Sequence, residues 1–325
     1  MLLTLNSLYA SPDHYLHSFD GRDALFVPMD RAAYHRSIFL DGRISPAAEG
    51  SLRLPVATLL QAVPRPAPTG WIFHVAHCGS TLLASALDLE PGNLVLREPL
   101  GLRQLAFDAA DGRLDVMLAI LSRRYDPDRP TIVKANVPVN FMLPALVQRD
   151  PAARAIFLHL PLRGYLHAIL RSDPHRQWVR RVTTQQAARL GDMTGWSDAA
   201  RAAALWLAQM RAFAAAIVAM PHARSLDAET FLTDPRPVLA RAAAHLDVPL
   251  SDPEIAERVA GPLFATYSKN RDVPFSNADR LARRRQAETD LAGEIAIAET
   301  WIAPHADLAR AATATIAAVA LCEGA

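Results

Sequence analysis

The sequence predicts an α/β fold in which a central, mostly parallel sheet is flanked by helices and followed by a helix-rich C-terminal half. Short apolar segments with strand character alternate with helical segments through the first half of the chain. Apolar runs of this kind are typical of parallel strands that are buried on both faces. From about Pro174 the apolar residues recur mostly at helical spacing. At 325 residues the chain is long enough to bury a large core.

The N-terminal part of the chain is the least regular. Residues 24–44 mix strand and helix character, and their layout stays open. The prolines within residues 62–70 indicate an extended lead-in to the segments that follow. We therefore expect residues 1–69 to form an N-terminal extension packed on a main domain of residues 70–325.

Beyond these prolines, strands and helices are predicted in alternation. In the first half the predicted strands are residues 70–76, 93–99, 130–136 and 153–160, and the predicted helices are residues 80–89, 112–125 and 140–149. In the second half a fifth strand is predicted within 223–231, and helices within 196–220, 234–250 and 277–302. Ser197 or Asp198 is placed to cap the first of these helices. Since parallel sheets bind ligands at the carboxyl ends of their strands, we expect the site there.

Composition argues against several classes of partner. The chain has 34 Lys and Arg residues against 33 Asp and Glu, so no bulk charge attracts it to nucleic acid or to a membrane surface. The basic run at residues 282–288 is interpreted as a solvated helix face. Two cysteines far apart in sequence fit a reducing compartment. With no basic segment at the start and no run of the roughly 18–20 apolar residues that a membrane helix needs, we expect a cytoplasmic protein.

A tight polar turn, residues 77–81, joins the first of these strands to its helix. Amide groups at the start of a helix have no partner within the helix, and the helix dipole adds positive potential, so such a turn is suited to an anion. Gly79 lets the main chain approach the anion closely. A strand–helix turn without a ligand is the alternative interpretation.

Two familiar anion-binding loops do not match this turn. A nucleoside-triphosphate loop needs Lys after its last glycine, whereas Gly79 is followed by Ser80. A cysteine phosphatase needs Arg six residues after its nucleophile, whereas the sixth residue after Cys78 is Ala84. His74, His77 and Cys78 do not predict a metal site either, because strand alternation puts the two histidines on opposite faces.

A third loop matches better. Residues 79–83, Gly-Ser-Thr-Leu-Leu, resemble the sulfate-binding loop of cytosolic and bacterial sulfotransferases, with Cys78 in a small-residue position and His77 where the family carries Lys or Arg. Further segments resemble family motifs in family order: 96–100 (Leu-Arg-Glu-Pro-Leu), 131–146, 153–170, 228–248 and 267–275. The only two lysines, Lys134 and Lys269, both fall on motif positions.

This resemblance implies a three-layer, P-loop-like fold and the donor PAPS (3′-phosphoadenosine 5′-phosphosulfate). It implies that the 5′-phosphosulfate is held by Cys78, Gly79, Ser80, Thr81 and Leu82. The implied reaction is sulfuryl transfer to a hydroxyl or amine of a small molecule or peptide. The acceptor itself stays open, because variable loops form acceptor pockets in this fold, and the sequence carries no signal of oligomeric state.

The same resemblance implies roles for three side chains. Lys134 and His77 are candidates to stabilise the bridging charge, and Glu98 is the candidate base for the acceptor. A histidine carries positive charge only when protonated, so the contribution of His77 depends on pH. The alternative for Glu98 is an ordinary salt bridge or helix cap.

The chain departs from the family at functional positions. Asn136 stands where the cytosolic enzymes carry a His base, and Leu160 and Ala168 stand where an Arg and a Ser hold the 3′-phosphate. Candidate substitutes for that site are Arg163, Arg171, Ser172, Lys269 and Arg271. The departures leave two alternatives open: a degenerate relative that binds an anion or a partner without turnover, or an enzyme with another phosphorylated donor.

Overall fold

The computed structural model describes residues 4–90, 92–108, 112–267 and 270–322. Its strands are β1 (His14–Asp20), β2 (Asp23–Pro28), β3 (Leu52–Pro55), β4 (Thr69–His74), β5 (Leu94–Arg97), β6 (Thr131–Lys134), β7 (Ala155–His159), β8 (Ala223–Asp227), β9 (Thr266–Tyr267) and β10 (Asn270–Pro274). Strands β4 to β8 form a five-stranded parallel sheet in the order β5-β6-β4-β7-β8. The first three strands form an antiparallel sheet, and β9 pairs with β10.

Helices account for most of the remaining regular structure. They are α1 (Leu5–Ala10), α2 (Arg31–Arg36), α3 (Val56–Leu59), α4 (Ser80–Ala86), α5 (Leu100–Leu105), α6 (Arg113–Leu121), α7 (Leu143–Arg149), α8 (Leu162–Ile169), α9 (Asp173–Gln185), α10 (Ala187–Leu190), α11 (Asp198–Ala219), α12 (Ala228–Thr233), α13 (Pro235–His245), α14 (Asp252–Ala260), α15 (Pro262–Ala265), α16 (Asn277–Asp290), α17 (Ala292–Ile302) and α18 (Ala306–Ala317). Short 3-10 helices cover Leu60–Ala62, Val137–Met142 and Ala303–His305.

The predicted fold class is confirmed. Every residue of β5 and β6 is buried, and consecutive strand residues point to opposite faces, so the sheet is covered on both sides. All five predicted parallel strands are present, and each end lies within four residues of the predicted bound. The single helix predicted over 277–302 is wrong: the helical backbone is interrupted at Leu291, two residues before Gly293, a poor helix former.

Helix α11 packs against the sheet as the main core helix. The Ser197 side chain caps it by accepting a hydrogen bond from the Ala200 amide. Aromatic rings join it to the sheet: Phe157 lies 5.2 Å from Phe73 and 5.1 Å from Phe213 between ring centroids. Contrary to the expectation from sequence, α11 is long and apolar enough to cross a membrane, but 61% of its most apolar window is buried inside the protein.

The N-terminal segment is fastened to the edge of the sheet by a buried arginine. Arg97 ends β5 with 1% exposure, and its guanidinium donates to the carbonyls of Tyr34 (2.8 Å), His35 (2.9 Å) and Ser37 (2.8 Å). These carbonyls lie at the end of α2, where a helix leaves carbonyls without internal partners. Arg97 also pairs with the buried Asp88 carboxylate at 3.3 Å.

One hydrophobic core therefore runs through the whole chain, from Leu8 to Ile316. A second buried arginine, Arg123, donates to the carbonyls of Leu8 (2.8 Å) and Ser11 (2.6 Å) and holds the first helix against the core. These contacts support our proposal that residues 1–69 are an extension of the domain 70–325 and not a separate unit.

We expect Arg97→Met to lower the free energy of unfolding by about 3 kcal/mol, because three carbonyls at the end of α2, two of them in buried hydrogen bonds, lose this donor and Asp88 loses one of its cations. Urea denaturation followed by circular dichroism measures the change. The control Arg22→Met, at an exposed arginine of the same segment, is expected to change it by less than about 0.5 kcal/mol. A loss no larger than the control's would contradict the fastening role.

Candidate functional site

The turn between β4 and α4 has the backbone of an anion-binding loop. Gly79 precedes α4 in the left-handed conformation, with φ of 82°, and His77 has φ of 59°. A Cβ atom at position 79 would lie 3.2 Å from the Leu232 side chain, so glycine suits both the conformation and the space. Ser80 and Thr81 are 4% and 3% exposed as whole residues, and both line the cavity above the loop, as does Leu82.

Cys78 contributes its main chain to this loop while its side chain faces the core. The residue is 1% exposed, and Sγ donates to the Val75 carbonyl at 2.9 Å. Burial raises the pKa of the Cys78 thiol to about 12. The thiol is therefore protonated at neutral pH and is unsuited to act as a nucleophile, in accord with the sequence-based exclusion of a cysteine phosphatase.

Glu98 directly follows β5 and faces the same cavity. Its φ is 55°, a left-handed conformation that is uncommon for a residue with a side chain. One carboxylate oxygen pairs with the Lys134 ammonium, and the other lies 3.4 Å from the Asn136 amide nitrogen, which donates to it. The Glu98 amide donates to the Lys134 carbonyl at 2.8 Å. Both ends of Glu98 are thus fixed by the end of β6.

Lys134 lies below the cavity instead of lining it. Its side chain is 0% exposed, it contacts Glu98, and its Nζ lies 5.5 Å from the centroid of the Phe39 ring. Its positive charge also reaches Cys78 of the loop, where it favours the thiolate slightly. Lys134 therefore influences the cavity by holding Glu98 and by adding positive potential. Its buried position does not place it in contact with a ligand in the cavity.

A cavity of about 750 Å³ brings the loop and Glu98 together at the carboxyl ends of β4, β5 and β6. This is where ligands bind in parallel α/β sheets. Its charged lining is mostly positive, with five arginines and two carboxylates: Arg43, Arg103, Arg171, Arg181 and Arg280 against Asp41 and Glu98. Asn136, at the family's His position, lines it as well.

The N-terminal segment supplies part of this cavity, which sequence reasoning missed. Phe39, Asp41 and Arg43 line it beside Glu98. The Arg43 guanidinium lies 4.0 Å from the centroid of the Phe39 ring and binds both carboxylate oxygens of Asp41. Burial alone would raise the pKa of Asp41, but the hydrogen bonds and charge of Arg43 outweigh it and lower that pKa. No motif marks this segment.

His77 lies on the opposite wall, against helix α9. Its ring centroid is 4.1 Å from that of His175 and 6.2 Å from that of Trp178. Arg171 donates to the Tyr267 hydroxyl at 3.3 Å and lies 3.2 Å from His175 Nε2. Because a guanidinium only donates, Nε2 is the acceptor, so Nδ1 carries the hydrogen of neutral His175.

The other substitutes proposed for the 3′-phosphate are dispersed. Arg163 is 69% exposed at its side chain, pairs with Glu299 at 2.5 Å, and lines neither the cavity above the loop nor the one that adjoins it. Ser172 hydrogen-bonds the His175 ring and lies outside the cavity lining. Lys269 and the side chain of Arg271 lie outside the described residues.

A second cavity, of about 340 Å³, adjoins the first. Leu160 and Ala168, the two departures from the family's 3′-phosphate site, form its wall together with Gly164. They offer no charge to a phosphate. Within residues 4–90, 92–108, 112–267 and 270–322, no group of three His, Cys, Asp or Glu side chains is placed to hold a metal ion.

Comparison with known proteins adds a likeness in fold. No protein-family model and no curated protein matches the chain. The sulfotransferase domain from the curacin biosynthetic pathway is similar over 70% of this chain and 99% of its own, with 13% identity and a TM-score of 0.40. A sulfotransferase from Alicyclobacillus acidocaldarius is similar over 73% of this chain and 96% of its own, with 15% identity and a TM-score of 0.37. Similarity at this level assigns no activity to the chain.

We expect Cys78 to resist alkylation at pH 8, where a thiol with a pKa of about 12 is ionised in only about 1 molecule in 10,000. Cys322, which is partly exposed, is the internal control. After treatment with iodoacetamide, peptide mass spectrometry is expected to find label on Cys322 in the folded protein and on both cysteines in urea. Faster labelling of Cys78 than of Cys322 in the folded protein would contradict this account of the loop.

Proposed function

We propose that the protein transfers a sulfuryl group from a nucleotide phosphosulfate of the PAPS type to a hydroxyl or amine acceptor. One observation carries the proposal: a single cavity joins the loop of residues 77–82 to a carboxylate, Glu98, that a buried ammonium holds in place. Sulfuryl transfer needs an anion cradle and a proton acceptor within one site. The resemblance of the loop to the sulfotransferase motif supports the same reaction.

The charge of the cavity fits the phosphosulfate end of such a donor. Arginines outnumber carboxylates in its lining, and Arg103 and Arg181 make no ion pair with another described residue. The Arg103 charge also acts on the nearby Asp41 carboxylate, and both arginines add positive potential that favours an anion in the cavity. The fit does not extend to a 3′-phosphate held as in the family, because Leu160 and Ala168 offer it no charge or hydrogen bond.

When bound, the donor supplies a sulfuryl group attached to a phosphate leaving group. The loop amides and the Ser80 and Thr81 hydroxyls hold anionic oxygens, and the arginines stabilise negative charge on the phosphate. Glu98 orients the acceptor and takes the proton from its oxygen or nitrogen. Lys134 and Asn136 act as positioning residues that hold the two Glu98 oxygens. His77 borders the cavity between the loop and α9.

We expect Gly79→Ala to weaken binding of 3′-phosphoadenosine 5′-phosphate at least about 10-fold, since a Cβ strains the left-handed backbone by about 1–2 kcal/mol and displaces the loop. Isothermal titration calorimetry measures the affinity. The control Gly42→Ala adds a Cβ where no atom lies within 4 Å and no positive φ is required. Unchanged affinity in a folded Gly79→Ala protein would remove the loop from the donor site.

We expect Glu98→Gln to abolish transfer of radiolabelled sulfuryl from PAPS while leaving the donor affinity within about 3-fold of wild type, because the amide cannot accept the proton. The acceptor is first found by screening phenols, alcohols and amines with the wild-type protein. Glu257→Gln, at an exposed glutamate of α14, is the matched control. Transfer at the wild-type rate in Glu98→Gln would exclude Glu98 as base. Donor binding without transfer to any acceptor would favour a relative that binds without turnover.

A further inference from the structure

The cavity above the loop has a second side, which faces Glu98. Helix α5 begins two residues after Glu98, and α5 and the N-terminal segment line this Glu98 side with four residues: Phe39, Asp41, Arg43 and Arg103. In the proposed reaction the phosphosulfate lies on the loop and Glu98 takes the proton from the acceptor. The acceptor therefore places its reacting atom at Glu98, and these four residues are the surface next to it.

Arg43 is held in place on this side. Its Nε and one of its Nη atoms donate to the two carboxylate oxygens of Asp41, at 2.9 and 2.5 Å, and its guanidinium carbon lies 4.0 Å from the centroid of the Phe39 ring. Hydrogen bonding to Asp41 outweighs burial and raises the pKa of Arg43. Asp41 therefore balances the Arg43 charge, and Arg43 offers an acceptor a flat surface instead of an unbalanced charge.

Arg103 differs from Arg43 because no carboxylate binds it directly. The residue is partly exposed and lines the cavity, and its side chain forms no ion pair or hydrogen bond with another residue of the described chain. Burial raises the pKa of Asp41, but Arg43 lowers it, with a smaller contribution from the Arg103 charge. Arg103 thus lies near enough to act on Asp41, whose two oxygens are already bound by Arg43.

The charges on the Glu98 side leave one positive charge unbalanced. Lys134 pairs with Glu98, and Arg43 pairs with Asp41. Arg103 then has no opposite charge of its own, so this side of the cavity is positive. A carboxylate suits such a site, because a guanidinium can donate two parallel hydrogen bonds to it. A cationic acceptor, in contrast, would have to displace Arg43 or Lys134 from its carboxylate partner.

We infer that the acceptor carries a carboxylate, that Arg103 binds this carboxylate, and that the hydroxyl or amine of the same molecule faces Glu98. The acceptor oxygen or nitrogen forms a bond to sulfur while the bond from sulfur to the phosphate oxygen breaks. The acceptor proton passes to Glu98, and 3′-phosphoadenosine 5′-phosphate leaves. This inference rests on the proposed function. It makes Arg103 the residue that selects the acceptor, and it keeps the negative charge of the acceptor apart from the phosphosulfate on the loop.

Matched acceptors that differ by one charge test the inference. The pairs are 4-hydroxybenzoate with 4-hydroxybenzamide and 3-hydroxybutanoate with 3-hydroxybutanamide, because a carboxamide has nearly the shape of a carboxylate without its charge. Transfer of radiolabelled sulfuryl is measured with saturating PAPS. In the pair that reacts, we expect kcat/KM of the wild-type protein to be at least about 10-fold higher for the carboxylate than for the carboxamide.

Variants of Arg103 assign this ratio to one side chain. Arg103→Gln is expected to lower it to below about 2-fold, mainly by raising KM for the carboxylate, whereas Arg103→Lys keeps the charge but not the fork and is expected to retain about 3-fold or more. The ratio cancels any change in donor affinity, since both acceptors react with the same donor. The control Arg211→Gln, at an exposed arginine of α11 that lines neither cavity, is expected to keep the wild-type ratio. Circular dichroism verifies folding.

Two results would overturn the inference and leave the donor proposal intact. One is a wild-type protein that sulfates uncharged acceptors as well as or better than carboxylates, a result that needs no variant. The other is an Arg103→Gln protein that keeps the wild-type ratio but loses affinity for 3′-phosphoadenosine 5′-phosphate, since Arg103 would then serve the donor. If Arg103→Gln does not fold, an Arg103→Lys protein with the full wild-type ratio supports recognition by charge, and one with no preference for the carboxylate contradicts it. If the wild-type protein transfers sulfuryl to no acceptor, the proposed function fails and the inference fails with it.

Discussion

The buried ammonium of Lys134 is the constraint on which the site depends. An ammonium with 0% exposure costs several kcal/mol unless an opposite charge lies against it. Glu98 supplies that charge from the neighbouring strand end, since β5 and β6 pair with Arg97 opposite Lys134. Glu98 has a left-handed backbone, which costs about 1 kcal/mol, and its carboxylate contacts Lys134. The carboxylate therefore has a fixed place at the cavity.

Two consecutive residues at the end of β5 face different surroundings: Arg97 binds the N-terminal segment, and Glu98 lines the cavity. The Arg97 side chain is turned to the core and holds the carbonyls at the end of α2. Its own carbonyl accepts from the Leu40 amide at 2.7 Å, which fixes the segment that carries Phe39 beside Glu98. These hydrogen bonds to Arg97 thus place the N-terminal segment in the cavity wall beside the Glu98 carboxylate.

Much of the fold was predictable because the signals are local. Apolar runs marked the five parallel strands, and the polar residues 77–81 marked the turn between the first of these strands and its helix. The burial of a side chain relative to the cavity was not predictable. The sequence pattern at a strand end is the same whether a lysine lines the cavity or, like Lys134, lies fully buried beneath it. Long-range contacts were equally hidden, since Arg43 meets the site across more than 50 residues of sequence. Nor did the sequence show that the Arg163 side chain pairs with Glu299, 136 residues further along the chain.

Asn136 contacts the carboxylate of Glu98 across the end of the sheet. A histidine base at this position would have to share the cavity with a carboxylate that Lys134 already fixes there. Asn136 cannot take a proton, but its amide nitrogen lies 3.4 Å from the Glu98 oxygen that Lys134 does not hold. These two contacts restrain the orientation of the carboxylate at the cavity. The side chain at position 136 therefore contributes to holding the carboxylate that follows β5.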